Sequence, residues 1–80
     1  MSGDQLSALD QLPVGARGRV RSVAGDDELS LRLLEMGLTP GVELAVIGTA
    51  PLGDPLELEL RGYRLSVRRS EAARVQIEPL

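Results

Sequence analysis

Eighty residues with a formal net charge of −3 suffice for one domain, and a chain of this length buries only about 60–65% of its extended surface. A single aromatic residue, Tyr63, and the absence of cysteine, histidine and lysine exclude an aromatic core, a disulfide framework, a thiolate or imidazole metal site and the usual base for a serine nucleophile. The acidic balance does not favour nucleic acid or an acidic membrane surface, and no apolar run approaches the length of a membrane span.

Residues 1–5 read as a disordered lead without the basic-then-apolar pattern of a signal peptide, and residues 6–80 as one domain. Leu9, Leu12 and Val14, interrupted by Pro13 and Gly15, suggest an extended entry segment ending in a turn. Arg17 to Val23 alternates, with Arg17, Arg19 and Arg21 on one face and Gly18 and Val20 on the other, as a half-buried strand does. Three arginines on one face read either as an anion patch or as a solvated face with acidic neighbours, and the acidity of the chain favours the second.

Asp26-Asp27-Glu28 then opens a helical period of Leu29, Leu33 and Met36, with Leu31, Leu34 and Leu38 as a second stripe that would widen the buried face. Either aspartate can cap the helix. The three carboxylates lack the spacing of a calcium loop. Gly37 falls where a helix C-terminus favours positive φ, and Thr39-Pro40-Gly41 is a turn signal.

After Gly41 the apolar period changes to 2. Val42 to Ile47 is a strand, and Ala50-Pro51-Leu52-Gly53-Asp54-Pro55 is an irregular connection, since proline cannot donate to a ladder. Leu56–Leu60 and Tyr63–Arg68 alternate around Arg61-Gly62, a two-residue hairpin turn that uses Gly62 for its geometry. That turn sets Leu60 against Tyr63, Glu59 against Arg64, Leu58 against Leu65 and Leu56 against Val67; a one-residue slip would oppose leucine to arginine and serine. Ser70 to Ala73 looks like a single helical turn capped by the serine, and Val75 to Glu78 a last strand stopped by Pro79.

Five strands with one helix inserted after the first predict a mainly β fold, a small closed or nearly closed barrel. Its side chains offer no catalytic constellation. Glu57 and Glu59 face outward beside Arg64, and no phosphate loop is present. Binding of single-stranded nucleic acid or proline-rich peptides needs aromatic platforms, for which Tyr63 is the only candidate. By elimination the domain is not an enzyme and binds a partner protein or plays a structural part.

Leu33-Leu34-Glu35-Met36-Gly37-Leu38-Thr39-Pro40-Gly41, then Ala50 to Pro55, then Leu65 to Ala73 and Val75-Gln76-Ile77, together with the upstream Leu9-x-x-Leu12-x-x-Gly15, resemble the FeoA family, ferrous iron transport protein A. The resemblance covers about residues 6–79 with the blocks in order. It implies an SH3-like five-stranded β-barrel with a helical insertion after the first strand; from the side-chain inventory, neither a cofactor nor a resident metal is expected. It also implies a cytoplasmic accessory protein for FeoB, the membrane ferrous-iron permease with a GTP-binding domain. The barrel would dock on the cytosolic G domain or the core of FeoB, peripheral to the inner membrane, and tune assembly, gating or GTP turnover.

The expected docking surface is Met36, Leu38, Thr39 and Pro40 of the hinge with Pro51, Leu52, Gly53, Asp54 and Pro55 of the second loop, because loops on a rigid scaffold carry function. Gly37, Gly41 and Gly62 serve backbone geometry. The alternative for both leucines is that they plug the barrel. Two other readings remain open: a metal-responsive regulatory barrel with weak, oxygen-rich divalent binding, like the barrels appended to iron-dependent repressors, and self-association through barrel edges.

Overall fold

The computed structural model describes residues 6–80, and the expected disordered lead lies outside them. Each alternating run read from the sequence forms a strand. These are β2 (Arg17–Val23), β3 (Glu43–Thr49), β4 (Leu56–Leu60), β5 (Tyr63–Val67) and β6 (Val75–Pro79). A further strand, β1 (Ser7–Ala8), pairs with β6 and leads into a 3₁₀ turn at Leu9–Gln11, where the sequence suggested only an extended segment. Two residues are too few to show a period, so β1 left no signal.

The strands form one antiparallel sheet in the order β1-β6-β2-β3-β4-β5. Bulges between Val20 and Ser22 and between Val46 and Gly48 bend it around a core of leucine, valine and isoleucine. Among the described residues the end strands β1 and β5 do not pair with each other, so the sheet curls without closing into a continuous barrel and β5 keeps one open edge. The β4–β5 hairpin has the expected register at all four pairs. Its turn residues Arg61 (φ 51°) and Gly62 (φ 83°) have the double positive φ of a type I′ turn.

Helix α1 (Glu28–Glu35) enters between β2 and β3, and a short helix α2 (Arg69–Ala72) precedes β6. The second apolar stripe is buried only at its far end: Leu31 is 55% exposed and Leu34 half-buried, whereas Leu38, just past the helix, is fully buried like Leu33 of the first stripe. An eight-residue helix packed on the sheet along one side can bury one stripe and leaves the next at the rim. Ser70 does not cap α2. The helix begins one residue earlier, and the Glu71 carboxylate accepts the N–H of Arg68, at 3.1 Å.

Candidate functional site

The hinge begins at the C-terminus of α1. Gly37 donates to the Leu34 carbonyl (3.0 Å) and Leu38 to the Leu33 carbonyl (3.2 Å), with Gly37 at φ +111°. This is a Schellman ending, in which the residue after the glycine turns back onto the helix and packs against its last buried turn. Leu38 accordingly joins Leu33 in the core with no exposed surface. The expectation that Leu38 presents apolar surface is therefore corrected: of the four hinge residues expected to dock, Pro40 is exposed, Met36 and Thr39 are half-buried and Leu38 is enclosed. Thr39-Pro40-Gly41 closes as a turn, Val42 donating to the Thr39 carbonyl (3.1 Å), with Gly41 at φ +95°.

Tyr63 locks this end. Its hydroxyl donates to the Met36 carbonyl at 2.8 Å, one of the carbonyls a helix terminus leaves without an internal partner. A Cβ on Gly37 would run into that hydroxyl. The sole aromatic residue is thus a tie between hairpin and helix.

The second loop is held differently. Gly53 donates to the Ala50 carbonyl (2.7 Å) and Ala50 to the Pro55 carbonyl (3.1 Å), which makes Pro51 and Leu52 the central pair of a β-turn. Arg69 fastens the loop from outside. Its backbone N–H goes to Asp54 Oδ1 at 3.0 Å, its Nε to the Gly53 carbonyl, and its Nη1 to the Asp10 carbonyl at 2.8 Å. With the polar groups so occupied, Leu52 stands at the tip, 96% exposed.

The two loops do not form one patch. The hinge adjoins Tyr63 at the start of β5, whereas Asp54 and Gly53 bind Arg69, just past its end. At a rise of roughly 3.3 Å per residue the strand between them spans about 13 Å.

The arginine face of β2 is neutralised by its neighbours. Glu43 lies 3.5 Å from Arg17 and 2.9 Å from Arg19, and Glu78 lies 3.7 Å from Arg19 and 3.5 Å from Arg21. These exposed pairs describe a solvated face and leave no concentrated positive charge for an anion.

At the other end of α1, Asp27 is the cap, accepting from the Ser30 N–H at 3.2 Å. Arg74 Nη1 reaches the Asp27 carboxylate at 2.6 Å and the buried Ser30 hydroxyl at 3.1 Å, and that hydroxyl donates to the Ala24 carbonyl. The Arg74 hydrogen bond, then the Ser30 N–H, hold the Asp27 carboxyl down at about 2. The sequence left the cap open between Asp26 and Asp27 and pointed to neither Arg74 nor Arg69. Their partners are remote in sequence, and an arginine in an acidic chain carries no mark of which carboxylate or carbonyl it will meet. Among the described residues no three acidic side chains converge as a metal-binding group would require. A depression of about 400 Å³ beside α1, lined by Leu31, Leu34, Asp26 and Glu28, involves residues of neither expected docking loop.

Comparison with known proteins finds a match to the family model for the FeoA domain over residues 8–79. A relative from Porphyromonas gingivalis (strain ATCC BAA-308 / W83), a fusion of Fe(2+) transport protein A with the Fe(2+) transporter FeoB, is 34% identical over 70 residues. That alignment takes in 88% of this chain and 8% of the fusion, so the chain spans a small part of that relative. The solution structure of a FeoA-like protein from Clostridium acetobutylicum superposes with a TM-score of 0.89 at 32% identity, over 100% of this chain and 91% of that one. Stenotrophomonas maltophilia FeoA, a prokaryotic SH3 domain protein solved with zinc, superposes with a TM-score of 0.74 at 33% identity, over 86% of each chain.

Proposed function

This chain belongs to the FeoA family, and we propose that it is a non-enzymatic accessory protein of ferrous iron uptake that docks on the cytosolic part of the FeoB permease and modulates its assembly, gating or GTP turnover. The observation that carries this reading is the fusion of a relative to FeoB in one polypeptide. Tethering holds two modules at high effective concentration, and unlinked modules with the same task must find each other by a docking surface. The location that follows is the cytoplasmic face of the membrane that holds FeoB; no helix among the described residues is long and apolar enough to cross a membrane itself.

The docking surface we favour is the loop Pro51, Leu52, Gly53, Asp54 and Pro55, with Met36, Thr39 and Pro40 as the second contact. Leu52 supports it most directly, because a leucine left almost wholly in water on a braced loop gains free energy when an apolar pocket buries it. Zinc in the Stenotrophomonas protein keeps the metal-responsive reading in view, but no donor cluster among the described residues of this chain favours it.

The test is a titration of isotope-labelled protein with the cytosolic region of its cognate FeoB, followed by backbone amide shifts. Perturbations gathered at 51–55 are the expected result. Absence of shifts at near-millimolar partner would reject docking on that region.

A further inference from the structure

Among the described residues β5 ends the sheet with β4 as its single neighbour, and one side of its backbone has none of their strands beside it. The Arg61-Gly62 turn determines which groups point there. A two-residue turn of this type is closed by a hydrogen-bonded pair, and antiparallel pairs then alternate between bonded and non-bonded. Leu60↔Tyr63, Leu58↔Leu65 and Leu56↔Val67 are therefore bonded pairs, and Glu59↔Arg64 and Glu57↔Ser66 are not. The N–H and C=O of Arg64 and of Ser66 point away from β4. No turn, loop or cap contact among the described residues takes them.

Both residues are exposed, Leu65 is half-buried, and Tyr63 is 41% exposed, so the apolar side of β5 is also reachable from this edge. The edge stops at Arg68, whose N–H goes to Glu71 and whose carbonyl accepts from Glu71 and Ala72. Arg68 is still extended, at φ −66° and ψ 149°, and so continues the alternation that places Arg64 and Ser66 on one face. Neither Arg64 nor Arg68 has an ion-pair partner among the described residues.

We infer that the free edge of β5 takes an extended acidic segment of the docking partner as an additional strand. The identity of that partner rests on the docking reading above. Main-chain bonds to Arg64 and Ser66 supply the attachment, as in other cases of strand addition. Carboxylates opposite Arg64 and Arg68 supply the choice of sequence, and apolar residues between them lie over Leu65 and Tyr63. A second copy of this chain fits poorly. In an antiparallel pair of two β5 strands the outward positions of one meet Arg64, Ser66 or Arg68 of the other, which brings arginine against or diagonal to arginine. Like charges at such an edge oppose self-pairing, whereas an acidic strand gains from the same side chains. The edge also runs from the hinge to the Leu52 loop, so one bound segment would connect the two regions separately singled out as docking surface.

The test uses a soluble hexapeptide alternating glutamate and valine, titrated into the labelled full chain. At saturation, exchange of the Arg64 and Ser66 amides should slow by about tenfold or more, and a lysine–valine counterpart should leave both unchanged. Ser66→Pro removes an outward donor without touching the ladder to β4 and should abolish the protection. Arg64→Glu, which keeps the backbone, should weaken the acidic peptide by about tenfold and so stands in if the proline variant does not fold. No protection at saturating peptide, equal binding of the two peptides, or protection of the same amides by self-association would each overturn the inference. The cytosolic region of FeoB separates the two proposals. Binding that both variants leave intact would reject the edge and keep the docking. No binding, with the acidic peptide still protecting Arg64 and Ser66, would reject docking on that region and keep the edge.

Discussion

The hinge at 36–41 and the loop at 50–55 share a local signature, one leucine among prolines and glycines, yet they bring that leucine to opposite ends. Leu38 has no exposed surface and Leu52 is 96% exposed. What separates them is the element before each. Leu38 follows a helix, and the Schellman bonds to Leu33 and Leu34 turn it back onto the buried side of that helix. Leu52 follows a strand and sits in the centre of a β-turn whose polar groups are already taken by Ala50 and Arg69. The hinge is joinery, and the loop is held out as an accessible tip.

Truncation is the largest test of that contrast. Leu38→Ala should cost about 3 kcal/mol, as for other fully buried leucines, measured by urea unfolding. A loss under about 1 kcal/mol would mean that the hinge leucine is not core.

Glycine gives the next effect. Gly37→Ala should cost about 2 kcal/mol, because its φ of +111° strains any side chain and its Cβ meets the Tyr63 hydroxyl. Tyr63→Phe alone should cost about 1 kcal/mol through the lost bond to Met36. In that background Gly37→Ala should become less damaging, and an additive double-mutant cycle would show that the hydroxyl is not the obstacle. Gly41→Ala should be milder than Gly37→Ala, since φ at Gly41 is +95° but its Cβ would meet nothing within 4 Å.

Acid should loosen the start of α1 before its hinge end, which is held by backbone groups and a phenol. Asp27 is ordinarily near 3.8 and is lowered to about 2 when folded. A lowered folded value means the unfolded chain binds the proton more readily. The contribution is therefore complete above about pH 4 and is lost as pH falls through 2. Amide exchange at Ser30 should accelerate in that window ahead of Leu38. Asp27→Asn, which keeps a capping oxygen but no charge, should remove the pH dependence.

These residues also mark how far the sequence could be read. The hairpin register was legible because a two-residue turn and an unbroken alternation leave one solution, and each of its pairs is local. Burial of Leu38 was legible in part: it extends an apolar helical stripe, and a glycine ending a helix with an apolar residue after it is the signature of a buried second residue, yet the proline and glycines around it are also those of an exposed loop. The ties made by Arg69 to Asp10 and Gly53, and by Arg74 to Asp27, were not legible, since nothing local selects among acceptors so remote along the chain. Strand β1 was hidden because its pairing depends on β6, not on its own two residues.

The smallest effect on stability should be the largest on function. Leu52 makes no buried contact to lose, so Leu52→Arg should leave stability within about 0.5 kcal/mol of the parent. If the tip is the anchor for FeoB, the same change should weaken binding to its cytosolic region by about tenfold or more, because an arginine cannot enter an apolar pocket without stranding its charge. Unchanged unfolding together with lost binding would assign the loop to recognition. Unchanged binding would remove Leu52 from the interface and leave the hinge contact and the β5 edge to carry it, so this pair of measurements on one variant separates the loop tip from the other surfaces.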